Sequence, residues 1–132
     1  MRADLPKLCR FAAWACLALL MVLSWLPGEA MIRTGINGRI EHAVAYMGTM
    51  LMVSAAYGIR LGLLRLTAML IAYAGVLELG QIYVPGRHSS VFDFAASASG
   101  VVIGAIAFQL AYARLRDTTI GREVRRANQP SR

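Results

Sequence analysis

The chain has 132 residues, 58% of them hydrophobic, with a mean hydropathy of +0.54 and a formal charge of +7. A soluble domain is about a quarter charged, but only 16% of this chain is. The length allows one domain, and the apolar content argues against a soluble nucleic-acid binder and for a bilayer, despite the basic balance.

Arg2, Lys7 and Arg10 precede a first apolar run at residues 11–26. Three more runs follow at 42–59, 63–84 and 91–115. Each approaches the roughly 20 residues a helix needs to cross a hydrocarbon core. The expected fold is therefore all-α, an integral membrane bundle of four transmembrane helices. Residues 1–115 form a single transmembrane domain, and 116–132 a polar, Arg-rich tail. The first run is short unless 8–10 extend it, with Arg10 snorkelling toward headgroups. Its basic start and the Gly28-Glu29-Ala30 behind it also resemble a signal peptide with a cleavage site. The other three spans keep their orientation under either reading.

Orientation follows from the arginines. Both ends are basic, and an even number of spans places both termini on one side, which the positive-inside rule makes cytoplasmic. The 60–65 connector, with Arg60 and Arg65, then lies inside; connectors 27–41 and 85–90, with Arg33, Arg39 and Arg87, lie outside. The tail's end, Asn128-Gln-Pro-Ser-Arg132, reads as frayed, and its arginines as contacts for anionic membrane lipids. No aromatic or motif context supports a nucleic-acid partner. Cys9 and Cys16 lie about 10 Å apart on one helix, beyond the reach of a disulfide. Neither a Cys/His cluster nor a Gly-rich phosphate loop is present, so no metal and no cofactor are expected.

Polar groups inside spans are expensive and locate function better than apolar ones do. His42, Tyr46 and Thr49 share a helical face, as do Glu78 and Gln81. Arg87 follows in the connector, and Asp93 opens the last span. The topology delivers His42, Glu78, Gln81, Arg87 and Asp93 to one membrane face. Glu78 sits about 10 Å along the helix from Pro85, deep enough to need a partner. Arg87 folding back is the obvious one, with Asp93 competing for it; protonation aided by Gln81 is the alternative. Ser97, Gly100, Gly104, Ala107 and Ala111 make a stripe of small residues that lets span two or three approach span four.

Plainer roles are available for some of these residues. His42 and Tyr46 suit an interfacial pair. Ser89 and Ser90 suit helix caps, and Asp93 suits the helix dipole. Tyr57, Tyr73, Tyr83 and Tyr112 read as an aromatic belt, and Met47, Met50 and Met52 as packing or lipid-facing residues.

The run Glu78-Leu-Gly-Gln81-Ile-Tyr-Val-Pro85-Gly-Arg87-His-Ser-Ser90-Val-Phe-Asp93 resembles the VanZ-like membrane protein family. His42-x3-Tyr46 is similar to that family's His and Tyr at the start of its second span. The resemblance covers roughly residues 39–104. Ser97 stands where the family often has Asn, and Arg39 and Glu41 where it often has Lys and Asp. The resemblance implies a multi-pass protein of the bacterial cytoplasmic (inner) membrane and cell envelope, in a family whose founding member is linked to glycopeptide (teicoplanin) resistance. It implies no known reaction.

The leading expectation is binding: a polar cavity on the outer face holds an amphiphilic or anionic envelope component, such as a lipid-linked cell-wall intermediate. Arg87, Gln81, Glu78, Asp93, Ser97 and Tyr46 are its candidate ligand-binding residues. One alternative is an intramembrane hydrolase or transferase acting on an envelope lipid, with His42, Glu78 and Asp93 as candidate catalytic groups. Another is a scaffold that docks a larger membrane protein or a second copy of itself.

Overall fold

The computed structural model describes residues 5–30, 35 and 37–127. Arg2, Arg33 and the tail's end at 128–132 lie outside them. Helix α1 spans Leu5–Trp25, α2 Gly38–Leu61, α3 Leu63–Gly80 and α4 Val91–Ala127. There is no strand among the described residues. Short 3-10 turns at Gly28–Ala30 and Gln81–Tyr83 sit in the two longer connectors.

Local chemistry accounts for the boundaries. Asn37 caps α2, its side chain accepting from the Arg39 N–H at 3.0 Å. Gly62 alone separates α2 from α3 and has φ +80°, a conformation that a Cβ disfavours. Ser90 heads α4: its carbonyl accepts from the N–H groups of Asp93 and Phe94, both at 3.0 Å. The α1 helix does begin before residue 11, as an extension through 8–10 requires.

The contacts define helix direction. Tyr73 of α3 meets Leu17 of α1, and Gln81 meets Ser24, so α1 and α3 run parallel. Gly100 of α4 abuts the Ala43 carbonyl and Gly104 the Met47 carbonyl, so α2 and α4 also run parallel. Trp14 meets Tyr57, which sets α1 antiparallel to α2. The result is an up-down-up-down bundle in which α2 packs on all three other helices. One end carries Ser24, Asn37, Gln81 and Ser90; the other carries Arg10, Tyr57 and Arg65. At the first end the two connectors touch, with the Gly28 N–H donating to the Pro85 carbonyl at 3.2 Å.

Three helical segments are long and apolar enough to cross a membrane: Lys7–Trp25, Leu63–Tyr83 and Val91–Thr118. The α2 helix has 24 residues, about 36 Å, but too many polar groups to join them by hydropathy. Its polarity has a reason in its position. Tyr46, Thr49 and Ser54 are buried against the neighbouring helices. The outside of the bundle is apolar, with Phe11, Leu64, Met69, Leu79 and Leu110 exposed.

Several expectations change in detail. The α4 helix runs through residue 115 without a break, so the 116–127 part of the tail continues the helix. The buried face of α4 is Ser97, Gly100, Val101, Gly104 and Ala105; Ala107 and Ala111 are exposed. The stripe steps by three and four residues in turn, about 3.5 on average, so on a 3.6-residue helix it drifts by about 20° per heptad off the face that packs on α2. Tyr73 lies mid-helix, its hydroxyl donating to the Leu17 carbonyl at 2.8 Å, a bridge between helices instead of a belt position. Tyr83, in the 3-10 turn after α3, and Tyr112, within α4, are both exposed. Met50 is fully buried, and Met52 is exposed.

Candidate functional site

The close approach of α2 and α4 builds one half of the site. A Cβ on Gly100 would collide with the Ala43 carbonyl, and one on Gly104 would sit 2.8 Å from the Met47 carbonyl oxygen. Without these glycines the helices could not come together at this separation. One turn up α4, His42 Nδ1 lies 3.1 Å from Ser97 Oγ. The Ser97 hydroxyl donates to the Asp93 carbonyl at 3.0 Å. With its single proton committed there, Ser97 accepts from His42, which makes Nδ1 the protonated nitrogen. Ser97 is 2% exposed. Its buried and committed hydroxyl orients His42 and is not placed as a nucleophile.

Asp93 presents its carboxylate to Arg39, with Nε 3.6 Å from Oδ1. The Arg39 guanidinium also lies over the Phe92 ring, 4.8 Å from its centroid. The ion pair at Asp93 thus belongs to Arg39, although the sequence placed Arg87 in contention for it. Both partners are partly open to solvent, and such a pair contributes little stability.

The other half of the site joins α3, its following connector and α1. Glu78 is 7% exposed, and its Oε1 accepts from the Ser90 N–H at 2.6 Å. Ser90 heads α4, so the carboxylate meets the positive end of that helix dipole. Gln81 is 3% exposed and donates through Nε2 to Ser24 Oγ at 2.8 Å. Arg87 donates through Nη2 to the carbonyls of Leu23 and Ser24, at 3.3 and 3.2 Å. Those carbonyls close α1, where a helix leaves acceptors unfilled and favours a cation. Arg87 therefore ties the connector to the end of α1.

The two halves meet at the first turns of α4, through Ser90, Asp93 and Ser97. Tyr46 of α2 is buried in the bundle. His42, Glu78, Gln81, Arg87 and Asp93 thus sit at one end of the bundle. Arg39 and Ser24 join them as partners that sequence reasoning did not assign. Ser24 had a visible signal, being the single hydroxyl at the close of an otherwise apolar run. Arg39 had none, because its meeting with Asp93 depends on the pairing of α2 with α4.

A cleft lies elsewhere in the bundle. It is apolar, about 450 Å³, and is formed by α1, α2 and α3; His42, Glu78, Gln81, Arg87 and Asp93 do not line it. Among the described residues no group of three His, Cys, Asp or Glu side chains is arranged to hold a metal ion.

Fold and site together define a helical bundle with three helices apolar enough for a membrane and a hydrogen-bonded polar cluster at one end. The chain matches no family model, no curated protein and no solved structure. The functional reading therefore rests on its own residues.

Proposed function

We propose that the chain is a VanZ-like integral membrane protein of the bacterial cell envelope that binds an amphiphilic or anionic envelope component at its polar end. In this reading all four helices cross the cytoplasmic membrane, both termini are cytoplasmic and the polar end faces outward. At about 36 Å, α2 is long enough for a hydrocarbon core of about 30 Å. Its buried Tyr46, Thr49 and Ser54 point into the bundle and not at lipid.

One observation carries the proposal. Glu78, Gln81 and Ser97 are all buried, and they come from separate elements to the end where Arg39 and Arg87 sit. An acidic residue deep in a span costs roughly 2.5–3.5 kcal/mol on insertion scales. A chain that only had to pack could avoid that cost with apolar side chains. Arginine's planar fork suits phosphate or carboxylate. Of Arg39 and Arg87, Arg39 is the more exposed, and its 3.6 Å pairing with Asp93 is loose enough for a ligand oxyanion to replace. Gln81, Ser97 and Tyr46 supply hydrogen bonds, while Glu78 and Asp93 balance the charge. A lipid-linked cell-wall intermediate combines the required diphosphate with a long apolar tail. This class of ligand connects the reading to glycopeptide resistance of the teicoplanin type.

The test is binding of a polyprenyl diphosphate-linked sugar to the protein in phosphatidylcholine nanodiscs, followed by native mass spectrometry. Arg39→Ala and Arg87→Lys should each weaken binding at least about tenfold, since hydrogen bonds to charged groups are worth about 1.5–3 kcal/mol. Arg87→Lys keeps the charge and removes only the fork. Unchanged binding in both correctly inserted variants would sink the proposal.

A further inference from the structure

Midway along the bundle lies a second arrangement that the polar site does not use. The cleft of about 450 Å³ is lined by Trp14, Ala18 and Met21 of α1, Val53 of α2, and Met69 and Tyr73 of α3, among others. Its walls offer carbon and sulfur. The two polar groups on them are already engaged: the Trp14 indole N–H donates to the Tyr57 hydroxyl at 3.0 Å, and the Tyr73 hydroxyl donates to the Leu17 carbonyl at 2.8 Å. Water entering the cleft would find little to bond, so a fully apolar occupant fits it best.

Each main wall continues into an arginine. On α1 the face runs Arg10, Trp14, Ala18; on α3 it runs Arg65, Met69, Tyr73, both at helical spacings of four. Because α1 and α3 are parallel, both arginines lie toward the same end of the bundle, each one helical turn before a lining residue, Trp14 and Met69. The Arg10 guanidinium lies over the Tyr57 ring, 5.9 Å from its centroid, and Tyr57 is the same residue that Trp14 bonds. Arg10 Nε is buried without a hydrogen-bond partner among the described residues. Arg65 is exposed. The occupant this combination selects is apolar along its length and anionic at one end.

We infer that the cleft is a groove for one acyl chain of an anionic phospholipid, whose phosphate is held by Arg10 and Arg65. The inference rests on the membrane-embedded reading but uses none of the residues of the polar end. Helix burial of apolar surface gains nothing against lipid tails, so the arginines supply the selectivity and the cleft supplies the place. A second copy of the chain would fill the groove with a helix but set a net-basic end, with Asp4, Asp117 and Glu123 outnumbered by arginines, against Arg10 and Arg65.

The experiment uses the full chain with Trp25→Phe, which leaves Trp14 as its reporter, in phosphatidylcholine vesicles. A small fraction of either brominated phosphatidylglycerol or brominated phosphatidylcholine is added, and Trp14 quenching is read. Phosphatidylglycerol should quench about 25-fold more effectively per molecule, the product of about fivefold for each of two basic residues near an anionic headgroup. The Arg10→Gln/Arg65→Gln pair should bring the two lipids close to parity. Ala18→Phe fills the groove without altering charge and should also remove the preference, with helix content unchanged by circular dichroism. Equal quenching by the two lipids in the parent chain overturns the inference, as does a preference that survives both sets of changes. Headgroup-indifferent quenching that varies with protein density assigns the cleft to a second copy and also overturns it. Arg39→Ala should leave the preference intact, which separates failure here from failure at the polar end.

Discussion

Between α2 and α4 the helices meet at their backbones; between α1 and α3 they are bridged by side chains beside an open cleft. Gly100 and Gly104 let α4 settle onto the carbonyls of Ala43 and Met47. The α1–α3 pair depends on two hydrogen bonds, from Tyr73 to the Leu17 carbonyl and from Gln81 to Ser24. The first interface is specified by absence of side chain, the second by placement of polar atoms. The difference matters for function. A backbone contact brings His42 and Ser97 to 3.1 Å, a precision that the polar end requires. A bridged contact leaves room beside it, and the groove lies there.

Three changes probe this contrast, from the largest effect to the smallest. Gly100→Val places branched carbon where the Ala43 carbonyl already stands. Overpacking of this kind costs about 1–3 kcal/mol, and this position belongs at the upper end because the obstacle is backbone. Equilibrium unfolding in mixed detergent micelles should show the loss, and the NMR signal of His42 should shift as its contact with Ser97 opens. A variant as stable as the parent would show that the glycines do not set the approach. Tyr73→Phe removes one interhelical hydrogen bond and nothing else. Bonds of this kind average about 0.6 kcal/mol in membrane proteins, so stability should fall by about that amount. The His42 signal should stay in place, because the change belongs to the other interface. A shift of His42 equal to that in Gly100→Val would show that the two interfaces move as one.

Ser54→Ala is the smallest. Ser54 is 1% exposed, and its Oγ has no hydrogen-bond partner among the described residues. Removing a buried unsatisfied hydroxyl should leave stability unchanged or raise it by up to about 1 kcal/mol. A clear loss of stability in the same unfolding assay would mean that the hydroxyl has a partner in the folded protein.

Much of the site was legible as faces and ends. His42, Tyr46 and Thr49 share a face because a helix repeats every 3.6 residues, and Tyr46 and Thr49 are indeed buried together. Glu78 and Gln81 stood out as polar groups in an apolar run, and both are buried. Ser90 was readable as a cap. The pairings were not legible. Asp93 faces Arg39, Glu78 meets a backbone N–H of the next helix, and Arg87 closes α1. Each of these joins elements distant in the chain. The small-residue stripe shows the boundary well. Its upper half packs on α2 as the spacing implies, while Ala107 and Ala111 face outward.

The number of helices and the apolar character of α1, α3 and α4 were therefore properties of the sequence by itself, whereas α4 runs past the expected end at 115. Helical period, capping residues and hydropathy are local, and each acts within a few residues of its own position. Tertiary structure alone decided which polar group meets which, and that an apolar cleft opens among α1, α2 and α3. A hydrogen bond requires partners within about 3 Å, and that distance depends on how closely two helices approach. Here the approach is set by where a glycine meets a carbonyl on a helix more than fifty residues away, as Gly100 does at Ala43.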